Sequence, residues 1–319
     1  DLRFGKQSIV RGDFLLPDFR SIKGSKFKES VSYAYVDFTD LTRLKLPKDA
    51  AQRYITLDPM IQRLGYVELK RSTFSGTTDQ FFVQSKKIAS QLGSVRVENG
   101  LVFNSLAAGG YAFERTLNSD FDVYVDSFQV GKFVDNRLLG KATGAMFLSG
   151  VVGQKDIIRI EKLSGDIKSF GFSDYTYSNI KVENGSYIDN KFEAKIDVND
   201  PHLQLSYDGL IDLNDEDHYK FTVAIPKADV GKLNFVKDPY ARLETALSVD
   251  MHGSTLNSYS GTANLITFEY KEGGKSLSIP SLDFTIKRNG GVDFYTINSN
   301  VANIEMAGVV NFNTLPTSI

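Results

Sequence analysis

Apolar and polar residues alternate along much of the chain with a period of two, the pattern of a β-strand with one dry and one wet face. The clearest run is HLQLSYDGLIDL at residues 202–213, and RLETALSVDM at 242–251 has the same form. KFEAKIDV, SLDFTIKR and ANIEMAGVVNF continue the pattern at 191–198, 281–288 and 302–312. The alternation therefore predicts five strands of an antiparallel sheet at these places.

Turn signals accompany the strands. VRVENGLVF (95–103), IKVENGSYI (180–188) and IKRNGGVDF (286–294) each place Asn-Gly between apolar runs. Asn and Gly tolerate positive φ, so these segments predict three tight hairpins. The acidic segment DLNDEDH (212–218) predicts a fourth, and Gly273-Gly274 predicts a further turn.

Helical signals are few and short. Asp58 is placed to cap a short helix over Pro59 to Leu64, and residues 134–140 suggest one or two further helical turns. Neither segment is long enough to cover the apolar face of several strands. The apolar face could be covered in three ways. A second sheet could pack on it, the sheet could close into a barrel, or it could curl into a trough around an apolar content. The pattern alone does not distinguish these three arrangements.

A long repeat in the sequence favours one of these three arrangements of the sheet. FDVYVDSFQVGKF (121–133) and FTVAIPKADVGKL (221–233) share apolar positions and end in the same Val-Gly-Lys. The offset predicts one continuous segment over 1–319, with approximate repeat units 1–118, 119–225 and 226–319. Long repeats stack neighbour on neighbour, so this period favours an extended, curled, all-β array with minor short helices.

Composition narrows the functional class. Lys+Arg 37 against Asp+Glu 39 gives a net charge of -2, which offers no basic surface for nucleic acid. There are no cysteines, so disulfides and thiolate metal sites are excluded. No apolar run approaches the length of a membrane-spanning helix. From its first and last residues we expect the chain to be a segment of a longer protein.

Catalytic and metal-binding patterns give no match. The segment 212–218 lacks the glycine and the final glutamate of a calcium loop, and Val-Gly-Lys lacks the glycine spacing of a phosphate loop. The three histidines, His202, His218 and His252, are not at metal-ligand spacing, and we expect them at the surface. We therefore expect no enzyme activity, no cofactor and no metal site.

Five long segments resemble the Bacteroidota form of the TamB family, the translocation and assembly module within the AsmA-like group. These segments are GDFLLPDFRSIKGSKFKESVSY (12–33), the block from GYVELKRSTF to VENGLVF (65–103), GYAFERTLNSDFDVYVDSFQVGK (110–132), the block from YSNIKVENG to YDGLIDL (177–213), and the block from LSVDMHG to YKEGG (247–274). The resemblance covers essentially the whole chain and includes no catalytic motif.

The resemblance implies a fold, a location and a function. Family members are periplasmic, anchored in the inner membrane by an N-terminal helix, and meet an outer-membrane barrel-assembly partner through a C-terminal region; this segment has neither part. Between the two, strands curl into a taco-shaped apolar groove that is considered to carry phospholipid acyl chains between the membranes. The alternative is a scaffold or chaperone for outer-membrane barrel assembly and protein secretion.

Under the groove hypothesis, the apolar faces of the alternating strands line the path of the lipid; alternatively, the same side chains pack together as an ordinary core. The residues expected to line the groove are Phe121, Val123, Val125, Phe192, Ile196, Leu203, Leu205, Tyr207, Ile211, Leu243, Leu247, Val249, Phe284, Ile304, Met306 and Val310.

Overall fold

The computed structural model consists of two compact units, Asp1–Thr176 and Tyr177–Ile319. The expected repeat units 1–118, 119–225 and 226–319 stay a prediction. The residues described are 1–15, 26–45, 54–57, 59–77, 80–104, 117–152, 158–214, 217–255, 258–289, 291–300 and 302–308.

Unit 1 contains long strands, each paired antiparallel with the strand before it in the chain. Three helices of four or five residues lie in the connections. In chain order the strands are β1 (Leu2–Phe4), β2 (Ser8–Leu15), β3 (Lys26–Asp37), β4 (Tyr66–Thr77), β5 (Gln80–Ser90), β6 (Gly93–Asn104), β7 (Leu117–Gln129), β8 (Leu139–Val152) and β9 (Ile158–Phe172), and the helices are α1 (Phe38–Leu41), α2 (Pro59–Gln62) and α3 (Val130–Val134).

The remaining strands form unit 2, again in antiparallel pairs. One strand pairs twice on the same side: the second half of β15 pairs with β16 and the first half with β17. The strands are β10 (Tyr175–Ile188), β11 (Lys191–Asp200), β12 (Leu203–Asp212), β13 (His218–Ala228), β14 (Arg242–His252), β15 (Ser260–Glu272), β16 (Lys275–Ile279), β17 (Leu282–Asn289), β18 (Val292–Ser299) and β19 (Asn303–Gly308).

These 19 strands belong to one antiparallel sheet that is not closed. The expected fold class, an elongated curled all-β sheet with minor short helices, is therefore confirmed. The five alternating runs are confirmed as β11, β12, β14, β17 and β19, although residues 309–312 of the last run lie outside the described residues.

Two of the three Asn-Gly hairpin predictions are wrong. Asn99-Gly100 lies inside β6 and Asn184-Gly185 inside β10, at points where the register against the neighbouring strand shifts. Asn184 has a φ of 52°, so its tolerance of the left-handed region serves a β-bulge rather than a turn. The third prediction is confirmed, because Asn289 ends β17 and pairs with Val292 at the start of β18.

The helix predictions are partly correct. Helix α2 begins at Pro59 as predicted but ends at Gln62, and Asp58 lies outside the described residues. The helical turn expected at 134–140 lies earlier, at α3, because Asp135 takes the left-handed conformation with a φ of 60° and ends the helix.

The helices do not cover the sheet. Helix α1 contacts β3, α3 contacts β8, and α2 contacts α3, so all three lie beside the strand ends that they connect. In the described part of the chain, Leu233 and Ser72 are the largest side chains that are completely buried. A packed domain would bury many of its Phe and Leu side chains completely, and among the described residues only one Leu and no Phe is buried to that extent.

Candidate functional site: the apolar face of the sheet

One face of unit 2 is apolar from strand to strand. Residues directly opposite each other in an antiparallel pair project from the same face, so the register identifies which side chains are neighbours. One transverse row across β11, β12, β13, β14, β15 and β17 consists of Ile196, Tyr207, Val223, Leu247, Leu265 and Leu282.

Two further rows extend to β19. The first consists of Phe192, Ile211, Tyr219, Met251, Gly261, Ile286, Tyr295 and Met306, and the second of Ala194, Gly209, Phe221, Val249, Ala263, Phe284, Ile297 and Ile304. We call these three rows together the apolar face of unit 2.

Twelve of the residues predicted to line a groove project from this face. Leu205, Leu203 and Leu243 join it at one end of the rows, because Leu205 pairs with Val198 and both Leu203 and Leu243 pair with Ala228. Val310 lies outside the described residues. The twelve are Phe192, Ile196, Leu203, Leu205, Tyr207, Ile211, Leu243, Leu247, Val249, Phe284, Ile304 and Met306. Whether they line a lipid path stays a prediction.

The residues predicted to line the groove leave out several members of the face. Val223, Leu265, Ile286 and Tyr295 occupy the same rows. The alternation of FTVAIPK and of TANLITF carried the signal for the first two, but a bulge between Ala246 and Leu247 against β15 changes the register.

Most of the apolar face is half-buried rather than sealed. Phe192, Tyr207 and Leu247 keep part of their surface accessible, whereas Ile304 and Met306 on β19 are 41% and 49% exposed. Three other members of the rows, Ala194, Ile286 and Tyr295, are buried. The face is thus an extended apolar surface, most of whose side chains keep part of their area accessible.

The Tyr207 side chain reports how apolar this surface is. Its ring lies 5.7 Å from that of Phe221, and its hydroxyl is buried without a hydrogen-bond partner among the described residues. Burial, with a smaller effect of Asp208, raises the pKa of Tyr207 above its usual value. A buried phenol hydroxyl without a hydrogen bond is unfavourable if water could reach it instead, so its burial indicates that water is excluded from this part of the face.

Unit 1 has an apolar strip of its own. Val123 of β7 is flanked by Val97 on one side and Met146 on the other, and Phe121 is opposite Leu148. Val125 is buried and the other two predicted residues are half-buried. The three residues predicted on β7 therefore share one face with apolar neighbours.

The opposite face of unit 1 holds a hollow of about 510 Å³. Its lining is mixed, because the carboxylates of Asp120 and Asp122 lie beside the apolar side chains of Phe82, Leu101 and Phe147. An acyl chain in this hollow would desolvate the two carboxylates, which is costly, so the apolar strip is the better candidate for lipid contact in unit 1.

The two Val-Gly-Lys copies have the same structural task. Each follows a long strand, and each glycine lies against the backbone of its own connection: a Cβ on Gly131 would lie 1.9 Å from the carbonyl oxygen of Leu139, and one on Gly231 1.9 Å from that of Asp238. Leu233 beside the second copy is 1% exposed. The repeated Val-Gly-Lys motif therefore forms compact connections after β7 and after β13.

Buried carboxylates tie successive connections together. In unit 1, Asp40 accepts hydrogen bonds from the backbone N–H groups of Lys6, Gln7 and Ser8 at 2.8, 2.8 and 3.0 Å. The bonds from Lys6 and Gln7 chiefly lower the pKa of Asp40 to about 2. The β1–β2 turn is thus fixed to helix α1, which directly follows β3, by a charged side chain.

Unit 2 uses the same device. Asp200 accepts hydrogen bonds from the backbone N–H of Ser178 at 2.9 Å and of His202 at 2.8 Å. The His202 ring lies 2.9 Å from Asp229, whose other oxygen lies 3.3 Å from Arg242. The His202 side chain keeps 30% of its area exposed, and its ring bridges two connections.

Comparison with known proteins adds no relative. No family model, no curated protein sequence and no solved structure matches this chain. Among the described residues, no helix has both the length and the apolar character that crossing a membrane requires.

Proposed function

We propose that this chain is a segment of a TamB-like conduit in the periplasm that shields phospholipid acyl chains in an apolar β-groove, for transport between the inner and outer membranes. The apolar face of unit 2 carries the proposal: its longest rows cross eight strands, β11 to β15 and β17 to β19, without a charged side chain. No catalytic chemistry is needed for such a role.

The energetics favour a continuous surface. Exposing an acyl chain to water costs about 0.8 kcal/mol per CH₂, so a chain of about fifteen carbons faces a barrier of roughly 12 kcal/mol. Apolar contact at every strand removes most of this barrier. Because rows of similar side chains follow one another, an acyl chain meets no single strong site at which it would stop.

The half-buried state of the face supports this function over a packed core. A lining must be shielded from bulk water yet accessible to a guest, and Phe192, Tyr207 and Leu247 meet both conditions. The polar alternate positions, among them Lys220 and Asp250, stay on the other face, where they favour solubility.

A matched pair of charged substitutions tests the conduit. Leu247 and Ser248 are neighbours on opposite faces of β14, and both are half-buried. In an assay of fluorescent phospholipid transfer between vesicles, we expect Leu247→Arg to slow transfer at least about tenfold and Ser248→Arg to leave it near wild type. The reason is that a guanidinium on the apolar face must be desolvated by each passing chain. Equal transfer by both folded variants would refute the conduit.

The second candidate is a scaffold for outer-membrane barrel assembly and secretion, and β19 favours it. Within the described residues, β19 is hydrogen-bonded to β18 alone, and Asn303–Ala307 are exposed. An open strand edge is a template for strand addition by a nascent barrel strand. A photocrosslinker at Glu305 would then capture an unfolded barrel protein, whereas the conduit predicts no such capture.

A further inference from the structure

The polar face of unit 2 holds a cluster of metal-ligating side chains. His218 at the start of β13 is directly opposite His252 at the end of β14, and Asp250 precedes His252 by two residues on the same face. The two imidazole rings are stacked with centroids 3.9 Å apart. Nε2 of His218 lies 2.9 Å from Oδ1 of Asp250, and one donor atom from each residue lies within 4.8 Å of the others.

Two imidazole nitrogens and a carboxylate oxygen form a donor set that suits Zn²⁺ and its neighbours among the divalent transition metals. Metal–ligand bonds of about 2.0–2.1 Å place two tetrahedral ligands about 3.4 Å apart. Donor atoms of His218 and Asp250 already lie 2.9 Å apart, and one donor atom of each of the three residues lies within 4.8 Å of the others, so the donors are already close to that spacing. The backbone that carries them is fixed by the β13–β14 pairing.

The surroundings are polar and accessible. The side chains of His218 and Asp250 are 25% and 45% exposed, which leaves an entry path and room for a water ligand. Lys220 lies 3.3 Å from Asp250 as its present counter-charge. Asp212 is opposite His218 on β12 and adds a second carboxylate at this end, while β15 contributes Ser260 and Thr262, which face His252 and Asp250.

We propose that His218, Asp250 and His252 form a binding site for a divalent transition-metal ion of the Zn²⁺ class. Bound there, the ion replaces Lys220 as the partner of Asp250. It links the start of β13 to the end of β14, where β13 follows β12 and β14 leads into β15. The site is on the face opposite the apolar rows, so it does not depend on the proposed lipid function.

Zn²⁺ titration of the full chain by isothermal calorimetry tests the site. The wild type should bind one ion, and His252→Ala and Asp250→Asn should each weaken binding at least about tenfold, since even residues that only support a metal ligand change affinity by about 10–100-fold. The matched control is His202→Ala: His202 also pairs with an aspartate, at 2.9 Å, but it belongs to no such cluster within the part of the chain that the structure describes. It should bind Zn²⁺ like the wild type.

The small number of histidines permits a second readout. The chain has three, and no cysteine, so the imidazole NMR signals can be assigned by one substitution each. Zn²⁺ should shift the His218 and His252 signals and leave that of His202 unchanged. Absence of binding at millimolar Zn²⁺, or binding that survives in His252→Ala but is lost in His202→Ala, would overturn the proposal.

Discussion

Replacing Gly131 or Gly231 by alanine tests whether the two Val-Gly-Lys glycines are needed for the close backbone packing of their connections. A Cβ at either position would lie 1.9 Å from a backbone carbonyl oxygen, that of Leu139 or of Asp238. Contacts between a Cβ and a backbone atom below about 3.0 Å are essentially never seen, so each connection would have to move by about 1 Å. Neither carbonyl can turn aside like a flexible side chain.

The expected magnitude follows from overpacking, which costs about 1–3 kcal/mol in a well-packed site. At Gly131 the backbone carbonyl also accepts a 2.8 Å hydrogen bond from the N–H of Asn136, which a displaced turn would weaken. We therefore expect each variant to lose about 2–3 kcal/mol of unfolding free energy. For units of this size, 1 kcal/mol lowers Tm by about 2–4 °C, so Tm should fall by about 4–12 °C.

Thermal unfolding followed by far-ultraviolet circular dichroism is the assay, because the chain has no tryptophan to report by fluorescence. Gly308→Ala is the matched control, since a Cβ at Gly308 would meet no atom of the described residues within 4 Å. It should leave Tm within about 1 °C of wild type. A Tm for Gly131→Ala and Gly231→Ala as close to wild type as that of Gly308→Ala would refute the shared role of the two glycines.

Two carboxylates give further predictions. The pKa of Asp40 is lowered to about 2 in the folded chain from 3.8, so its stabilising effect is complete above about pH 4 and is lost as the pH falls through 2. Asp40→Asn should thus be less stable than wild type at pH 7, with a gap that narrows towards pH 2 in urea unfolding; a constant gap would contradict this. Asp200→Ala leaves the N–H groups of Ser178 and His202 without their acceptor and should cost about 2–4 kcal/mol at pH 7. Asp197→Ala, which loses a single hydroxyl bond from Ser206, should cost about 1 kcal/mol, and equal costs for the two would count against the assignment.

The strands and their faces could be predicted from the sequence because alternation is local. Ile196 and Val198 face the same side whatever β11 pairs with, so the alternation within one strand is enough to show which of its side chains share a face. Asn184-Gly185 shows the limit of local reasoning. The same tolerance of positive φ serves a turn or a bulge, and the choice depends on how far the neighbouring strand continues.

The polar contacts could not be predicted because they depend on register. His218 and His252 are 34 residues apart, and only the length of the β13–β14 connection makes them direct neighbours. Asp40 binds backbone groups more than 30 residues away, with no sequence pattern that marks it as their acceptor. Spacing along the chain therefore says little about which histidines and carboxylates meet across strands.

A photocrosslinking amino acid at Val249, compared with the same residue at Ser248, tests the conduit most directly. The two positions are adjacent on β14, both are half-buried, and they project from the apolar and the polar face respectively. After irradiation with phospholipid vesicles, mass spectrometry should find acyl chains attached at 249 and few or none at 248. Attachment at both positions alike, or at neither, would contradict the claim that the apolar face of the sheet carries lipid.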